Sequence, residues 1–178
     1  MKFKRSKIIK DLFLISNGSF KDSRGTFSRI FCSKNLKKIS FNVAQGNLSY
    51  NKKKHTLRGF HFQKGKNSEK KILTPVQGSI FNVVIDLRKN SKSFLKYEKI
   101  VLRSKKYQSL YVPDGCANAY LTLENNTIIH YYMGNFYDKK SYSGFRYNDD
   151  FFKIKWPFKP KVISKKDNEY QNFDLNQL

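Results

Sequence analysis

Residues Ser79–Arg88 read SIFNVVIDLR. The stretch alternates with a period of two. Phe81, Val83, Ile85 and Leu87 fall on one face, and Ile80, Asn82, Val84 and Asp86 on the other, which is the pattern of a strand. Working outward, residues 55–63 (HTLRGFHFQ) read as a second strand. Ser109 to Val112 form a short strand ended by the turn signal Pro113-Asp114-Gly115, with Cys116 still in the turn. Ala119 to Leu123 follow as a strand, and Glu124-Asn125-Asn126 turn the chain back. Thr127 to Met133 resume the alternation with Thr127, Ile129, Tyr131 and Met133 on a common face, so Tyr132 points away. Helix signals are few: a turn or two over residues 34–40 and a short helix near Asp167. The last twenty residues carry no strong pattern and are expected to pack across a sheet edge. Strands at short spacing with turns between them predict an all-β sandwich or barrel, with residues 1–178 as a single domain.

Composition narrows the function classes. The chain has 178 residues, of which 16 are Phe and 11 Tyr, and disordered chains are poor in aromatics. Its two cysteines, Cys32 and Cys116, exclude a disulfide scaffold and a CxxC zinc site. No apolar run approaches membrane-spanning length, and the basic start has too short an apolar stretch for a signal peptide, so a soluble, cytoplasmic protein with no membrane partner is expected. The formal net charge is +23. That suits a polyanionic partner or a small anionic substrate. However, 29 of the 36 basic residues are Lys, spread from Lys2 to Lys166 rather than gathered in a stripe. A nucleic-acid reader leans on Arg. Compositional drift is the preferred reading, steering of a small anionic substrate stays open, and no nucleic-acid partner is expected.

Taken singly, the candidate site residues are bland. The three histidines, His55, His61 and His130, lack the His-x-His spacing of a β-barrel metal cage. His61 alone reads as a core group and Tyr131 as packing. Neither GxGxxG, GxxxxGK[ST] nor GxSxG occurs.

The order of several motifs says more. FKDSRGTFSRIF (20–31), Gln45-Gly46-Asn47, LRGFHFQ (57–63) and KKILTPVQGSIFNVVIDLRKNS (70–91) come first. YVPDGCANAYLTLENNT (111–127), HYYMGNFY (130–137), GFRYNDDFFKIKWP (144–157) and SKKD (164–167) follow. This succession resembles the dTDP-4-dehydrorhamnose 3,5-epimerase family from about residue 8 to residue 174. The resemblance implies a double-stranded β-helix, a cupin-like jelly roll, working as a homodimer without metal or cofactor. It implies a nucleoside-diphosphate-linked 4-keto-6-deoxy sugar as substrate, in deoxysugar biosynthesis for surface polysaccharide. His61 matches the family's base, Asp167 the carboxylate that orients it, Tyr131 the proton donor and Lys71 the lysine near the developing enolate. Arg24 and Arg58 match the arginines that hold the diphosphate. Gln45 and Asn47 match the nucleotide and sugar contacts, Tyr137 the aromatic that stacks on the base, and Lys166 a further substrate-side lysine.

The chain also departs from the family. Asn118 stands where its members usually carry His, and Asn82 where they carry Asp. Arg29 and Tyr142 stand where its best-known members have Glu. Asn118 still lines up with the substrate-binding positions but cannot take a proton. These departures leave open whether C3, C5 or both are inverted and whether the sugar is dTDP-, CDP- or GDP-linked. A non-catalytic nucleotide-sugar-binding relative is the remaining alternative.

Overall fold

A computed structural model describes residues 1–178, apart from the side chain of Gln177. The strands are β1 (Lys2–Arg5), β2 (Phe13–Ser16), β3 (Phe20–Asp22), β4 (Gly25–Phe27), β5 (Gln45–Asn51), β6 (Thr56–Gln63) and β7 (Lys71–Gln77). They continue as β8 (Ser79–Asp86), β9 (Tyr97–Arg103), β10 (Gln108–Val112), β11 (Cys116–Thr122), β12 (Thr127–Met133), β13 (Tyr142–Gly144) and β14 (Val162–Ile163). Two short helices join them, α1 (Ser33–Leu36) and α2 (Lys165–Glu169). One sheet has the order β1-β2-β10-β7-β12-β5 and the other β13-β6-β11-β8-β9, with β14 running parallel to the start of β6. β3 and β4 form a separate hairpin. The two antiparallel sheets make the cupin-like jelly roll. Among the described residues no helix is long and apolar enough to cross a membrane.

Three packed layers explain the strand pattern. Between the sheets lie Leu73, Ile80, Val84, Leu102, Leu110 and Ile129. Phe60, Val83, Ile85, Ala117 and Ala119 cover the outer face of the second sheet, together with Phe145, Phe152 and Ile154 from the C-terminal segment. Ile15, Ile72 and Tyr111 on the outer face of the first sheet pack under Leu36 and Phe41. β8 therefore alternates as expected, yet both of its faces are buried. The C-terminal segment does pack along an edge, through β14 on β6.

Two local expectations need correction. Cys116 is not in the turn: Pro113–Gly115 complete it and Cys116 opens β11, buried toward the inner core. Burial pushes its thiol well above the usual range. His55 is not in the strand either. It holds a left-handed φ of 61° just before β6 and stacks on Phe158 at 4.4 Å.

Candidate active site

One cavity of about 510 Å³ opens between the sheets. The first sheet supplies Gln45, Asn47 and Ser49 from β5, Lys71 and Leu73 from β7, and Tyr131 and Met133 from β12. The second supplies Arg58 and His61 from β6 and Asn118 and Tyr120 from β11. Tyr137, Tyr142 and Lys166 close the rim. Ten of the eleven site residues expected from the sequence thus come together, Asp167 standing directly behind His61.

The backbone of β6 sets the geometry. Arg58 and His61 are three residues apart, so in a regular strand they would face opposite ways. The ladder to β11 pairs Asn118 with His61 but Tyr120 with Arg58, and the register shifts between them. This irregularity turns both side chains into the cavity. Gly59 makes it possible. Its φ is +115°, and a Cβ there would lie 2.6 Å from Ala119 Cα and from the Asn118 carbonyl oxygen.

His61 Nε2 lies 2.8 Å from Asp167 Oδ1. The other oxygen of Asp167 accepts from the Gly59 N–H at 3.1 Å. Asp167 sits at the start of α2, where its own N–H donates to the Ser164 hydroxyl that caps the helix. The carboxylate is 4% exposed. Burial alone would raise its pKa, but the hydrogen bond and charge of His61, the Gly59 N–H and Ser164 together hold it below the usual carboxylate range. A carboxylate fixed this way takes the Nε2–H of the imidazole and leaves Nδ1 with the lone pair. Burial pushes the His61 pKa down. Asp167 opposes this, and Lys71 and Lys166 add to it, so the ring is a neutral base at pH 7.

Opposite stands Tyr131 on β12, with Tyr132 turned outward against Phe31. Burial raises the Tyr131 pKa, Arg58 opposes this and Glu69 adds to it, so the phenol keeps its proton. Lys71 pairs with Glu69 at 2.6 Å, both nearly buried. Gln45 donates to Asn47 Oδ1 at 2.8 Å and accepts from the Tyr137 N–H at 3.1 Å, leaving Asn47 Nδ2 without a partner. Arg58 is braced by Asn51 at 3.0 Å. The Lys166 ammonium lies 4.2 Å from the centre of the Tyr142 ring. Among the described residues no three His, Cys, Asp or Glu side chains are grouped to hold a metal ion.

Arg24 is the exception. It sits at the turn of the β3–β4 hairpin, away from the cavity, with its side chain 88% exposed and paired to Asp22 at 2.6 Å. The hairpin packs into neither sheet, so nothing within this chain carries Arg24 to the site. Glu69 and Tyr142, in turn, were not singled out from the sequence as site residues. Glu69 lies in the irregular stretch just before β7, which begins at Lys71, so no strand parity pointed to it.

The pocket thus holds an imidazole and a phenol on opposite walls with an ammonium beside them. The sequence pattern of dTDP-4-dehydrorhamnose 3,5-epimerase matches residues 6–174. The chain belongs to the dTDP-4-dehydrorhamnose 3,5-epimerase family. It is 32% identical over 174 residues to the Escherichia coli enzyme of that name, covering 96% of this chain and 92% of the relative. The crystal structure of the Bacillus anthracis dTDP-4-dehydrorhamnose 3,5-epimerase, with TDP and PPi bound, superimposes with a TM-score of 0.92 at 31% identity, covering 97% and 99% of the two chains. A Legionella pneumophila dTDP-6-deoxy-D-glucose-3,5-epimerase in complex with dTDP-4-keto-L-rhamnose gives 0.90 at 25% identity, covering 98% of this chain and 93% of that one. As a member of this epimerase family, the chain is a carbohydrate epimerase of the isomerase class.

Proposed function

We propose that the chain inverts C3, C5 or both in a nucleoside-diphosphate 4-keto-6-deoxyhexose, with dTDP-4-dehydro-6-deoxy-D-glucose as the leading substrate. The observation that carries this reading is the pairing of Asp167-held His61 on one wall with Tyr131 on the other. The C4 ketone acidifies the hydrogens on C3 and C5. His61 Nδ1 takes one of them, and the electron pair moves onto the C4 oxygen as an enolate. Lys71 places its ammonium near that oxygen, where a fixed charge acts most strongly on developing charge. Tyr131 returns a proton to the opposite face as the electron pair falls back to carbon. His61 has then gained a proton and Tyr131 has lost one, so a proton must pass from imidazolium to phenolate before the next turnover. Acid–base groups placed this way contribute about 10²–10⁴-fold each.

Arg58 and Lys166 provide the positive charge for the diphosphate, and Tyr137 the ring for the base. Gln45 and Asn47 supply amides to the sugar and nucleotide. The same reading includes a homodimer. Phe20 and Phe27 on the β3–β4 hairpin are 78% and 62% exposed, and Leu48 on the edge strand β5 is 67% exposed. A second copy would cover them and let the hairpin deliver Arg24 to the neighbour's cavity.

Proton NMR in D₂O with dTDP-, CDP- and GDP-linked 4-keto-6-deoxyglucose tests the function. The H3 or H5 signals, or both, should disappear with the wild type and persist with His61→Ala. Binding without exchange would instead make the chain a nucleotide-sugar-binding relative. Exchange by His61→Ala at the wild-type rate would remove His61 as the base.

A further inference from the structure

We infer that Asn118 is locked as a hydrogen-bond acceptor toward the cavity and selects substrates that carry a free ring hydroxyl on or next to the carbon His61 deprotonates. The inference rests on the epimerase reading above and narrows its substrate class.

The polarity of the Asn118 amide follows from its partners. Asn118 Nδ2 donates to the backbone carbonyl of Val83 at 2.9 Å and to Asn82 Oδ1 at 3.0 Å. A backbone carbonyl can only accept. Turning the amide by 180° would set Oδ1 against that carbonyl, so the turned state is excluded. Both hydrogens of Nδ2 are thereby consumed on the protein side. Asn82, completely buried, is forced to present its oxygen to Asn118, and its own Nδ2 is left without a partner. The pair keeps this arrangement although it leaves a buried donor unpaired, so the Val83 carbonyl dictates the orientation. Asn118 lines the cavity, and the only polar atom it has left to offer there is Oδ1.

The place of that oxygen matters. Asn118 is the cross-strand partner of His61. Side chains paired directly across two antiparallel strands hold their Cβ atoms about 4.5–5.5 Å apart. A sugar ring whose carbon reaches His61 therefore sets that carbon's substituent, or the next one, beside Asn118 Oδ1. The surrounding walls carry the cations of Arg58, Lys71 and Lys166, and the one carboxylate among them, Glu69, is paired to Lys71. The cations suit phosphate and carbonyl oxygens. Asn118 Oδ1 is the neutral acceptor beside His61 that cannot also donate, whereas the Ser49 and tyrosine hydroxyls of the lining can do both, and a hydroxyl is the sugar's neutral donor. In a 4-keto-6-deoxyhexose only C3 has hydroxyls on and beside it, those of C3 and C2, so the selection acts when His61 takes the C3 hydrogen. The cavity is open, so water can take over the acceptor when the hydroxyl is missing. This holds the discrimination to about 10–100-fold instead of the about 10⁴-fold of a sealed site.

The experiment measures kcat/KM for deuterium exchange with the full 4-keto-6-deoxy nucleotide sugar and with its 2-deoxy and 3-deoxy analogues. Wild type and Asn118→Ala are run side by side. In the wild type one analogue should fall about 10–100-fold below the parent sugar, and in Asn118→Ala that ratio should shrink to within about threefold. A wild type that treats both analogues like the parent overturns the inference without any variant, so a poorly folded Asn118→Ala does not shelter it. A folded Asn118→Ala that keeps the full discrimination also overturns it. Absence of exchange with the parent sugar is a different result, because it removes the epimerase reading itself.

Discussion

Replacing Asp167 with Asn changes one atom, and the structure fixes what that atom does. The carboxylate serves two donors at once, His61 Nε2 at 2.8 Å and the Gly59 N–H at 3.1 Å. An amide can serve only one of them as an acceptor. If its oxygen stays on His61, its NH₂ faces the Gly59 N–H, and a buried donor loses its partner at a cost of about 1–3 kcal/mol. If it turns over, its NH₂ donates to Nε2, the imidazole proton moves to Nδ1, and the lone pair that faces the substrate is gone. Both arrangements also lose the negative charge that stabilises the imidazolium formed when carbon is deprotonated. An opposite charge this close shifts a pKa by about 1–3 units. At about 1.36 kcal/mol per unit, and with the tautomer disturbed as well, exchange should slow by about 10²–10³-fold. This is less than for His61→Ala, which removes the ring. The pH profile provides the sharper readout. In the wild type His61 is depressed below 6.5, so kcat/KM is flat above that and falls as acid protonates the base. Asp167 raises the His61 pKa, so in Asp167→Asn the acid limb should move to lower pH while the plateau drops. The carboxylate itself is held below 3.8, so the stability it gives is present above that value and is lost as pH falls through the lowered one. Exchange rates from pH 5 to 9 and thermal unfolding of both proteins would measure this. A plateau within about threefold of wild type, with the acid limb unmoved, would refute the dyad assignment.

Tyr131→Phe should still exchange substrate hydrogens through His61 but give little inverted product, whereas Tyr132→Phe, on the outer face against Phe31, should invert normally; deuterium uptake set against product yield distinguishes them. Gly59→Ala should destabilise the fold by about 3 kcal/mol or more, because its Cβ would meet backbone at 2.6 Å, while Gly18→Ala, with φ of +73° but open space, should cost only about 1–2 kcal/mol in denaturant titration. Glu69→Leu strips Lys71 of its buried partner and should lose about 3–5 kcal/mol, with Glu69→Gln retaining an acceptor and losing clearly less; equal stability of the two would mean that the ion pair is not what holds Lys71 in place.

The strands that could be read from the sequence are those with an apolar face on a packed layer. β8 and β12 are of this kind, and their observed limits, Ser79–Asp86 and Thr127–Met133, match the alternation closely. β5 escaped as a strand because its sequence, QGNLSYN, offers only two apolar residues besides glycine, Leu48 and Tyr50, and its other face is polar. All of Gln45, Asn47, Leu48, Ser49 and Tyr50 border the cavity, and Leu48 and Tyr50 are largely exposed at the sheet edge. β7 was hidden by Pro75, which a ladder accepts only where it can lose a hydrogen bond. The register between β7 and β12 shifts beside it, with Ile128 opposite Gln77 but Ile129 opposite Pro75.

The site itself was legible only through the order of its motifs, and the structure shows why alternation could not reveal it. Period two sorts residues into two faces but does not say which face surrounds a cavity. Along the inner face of these sheets, Ile80, Val84, Leu73 and Leu110 fill the packed part. Asn118, Lys71, Gln45 and Asn47 occupy equivalent inner positions where the sheets part. Asn82 stands between Ile80 and Val84, and Asn118 between Cys116 and Tyr120, and once the fold is known such a polar residue between apolar inner neighbours marks the wall of a site. His61 and Arg58 break the parity rule outright, since the irregular backbone at Gly59 brings residues three apart to one face. Asp167 reaches them from α2, more than a hundred residues later in the chain, through a side-chain hydrogen bond that no local pattern encodes. Glu69 lies before β7 begins, where parity has no meaning, and its role as the partner of Lys71 needed the 2.6 Å contact to be seen.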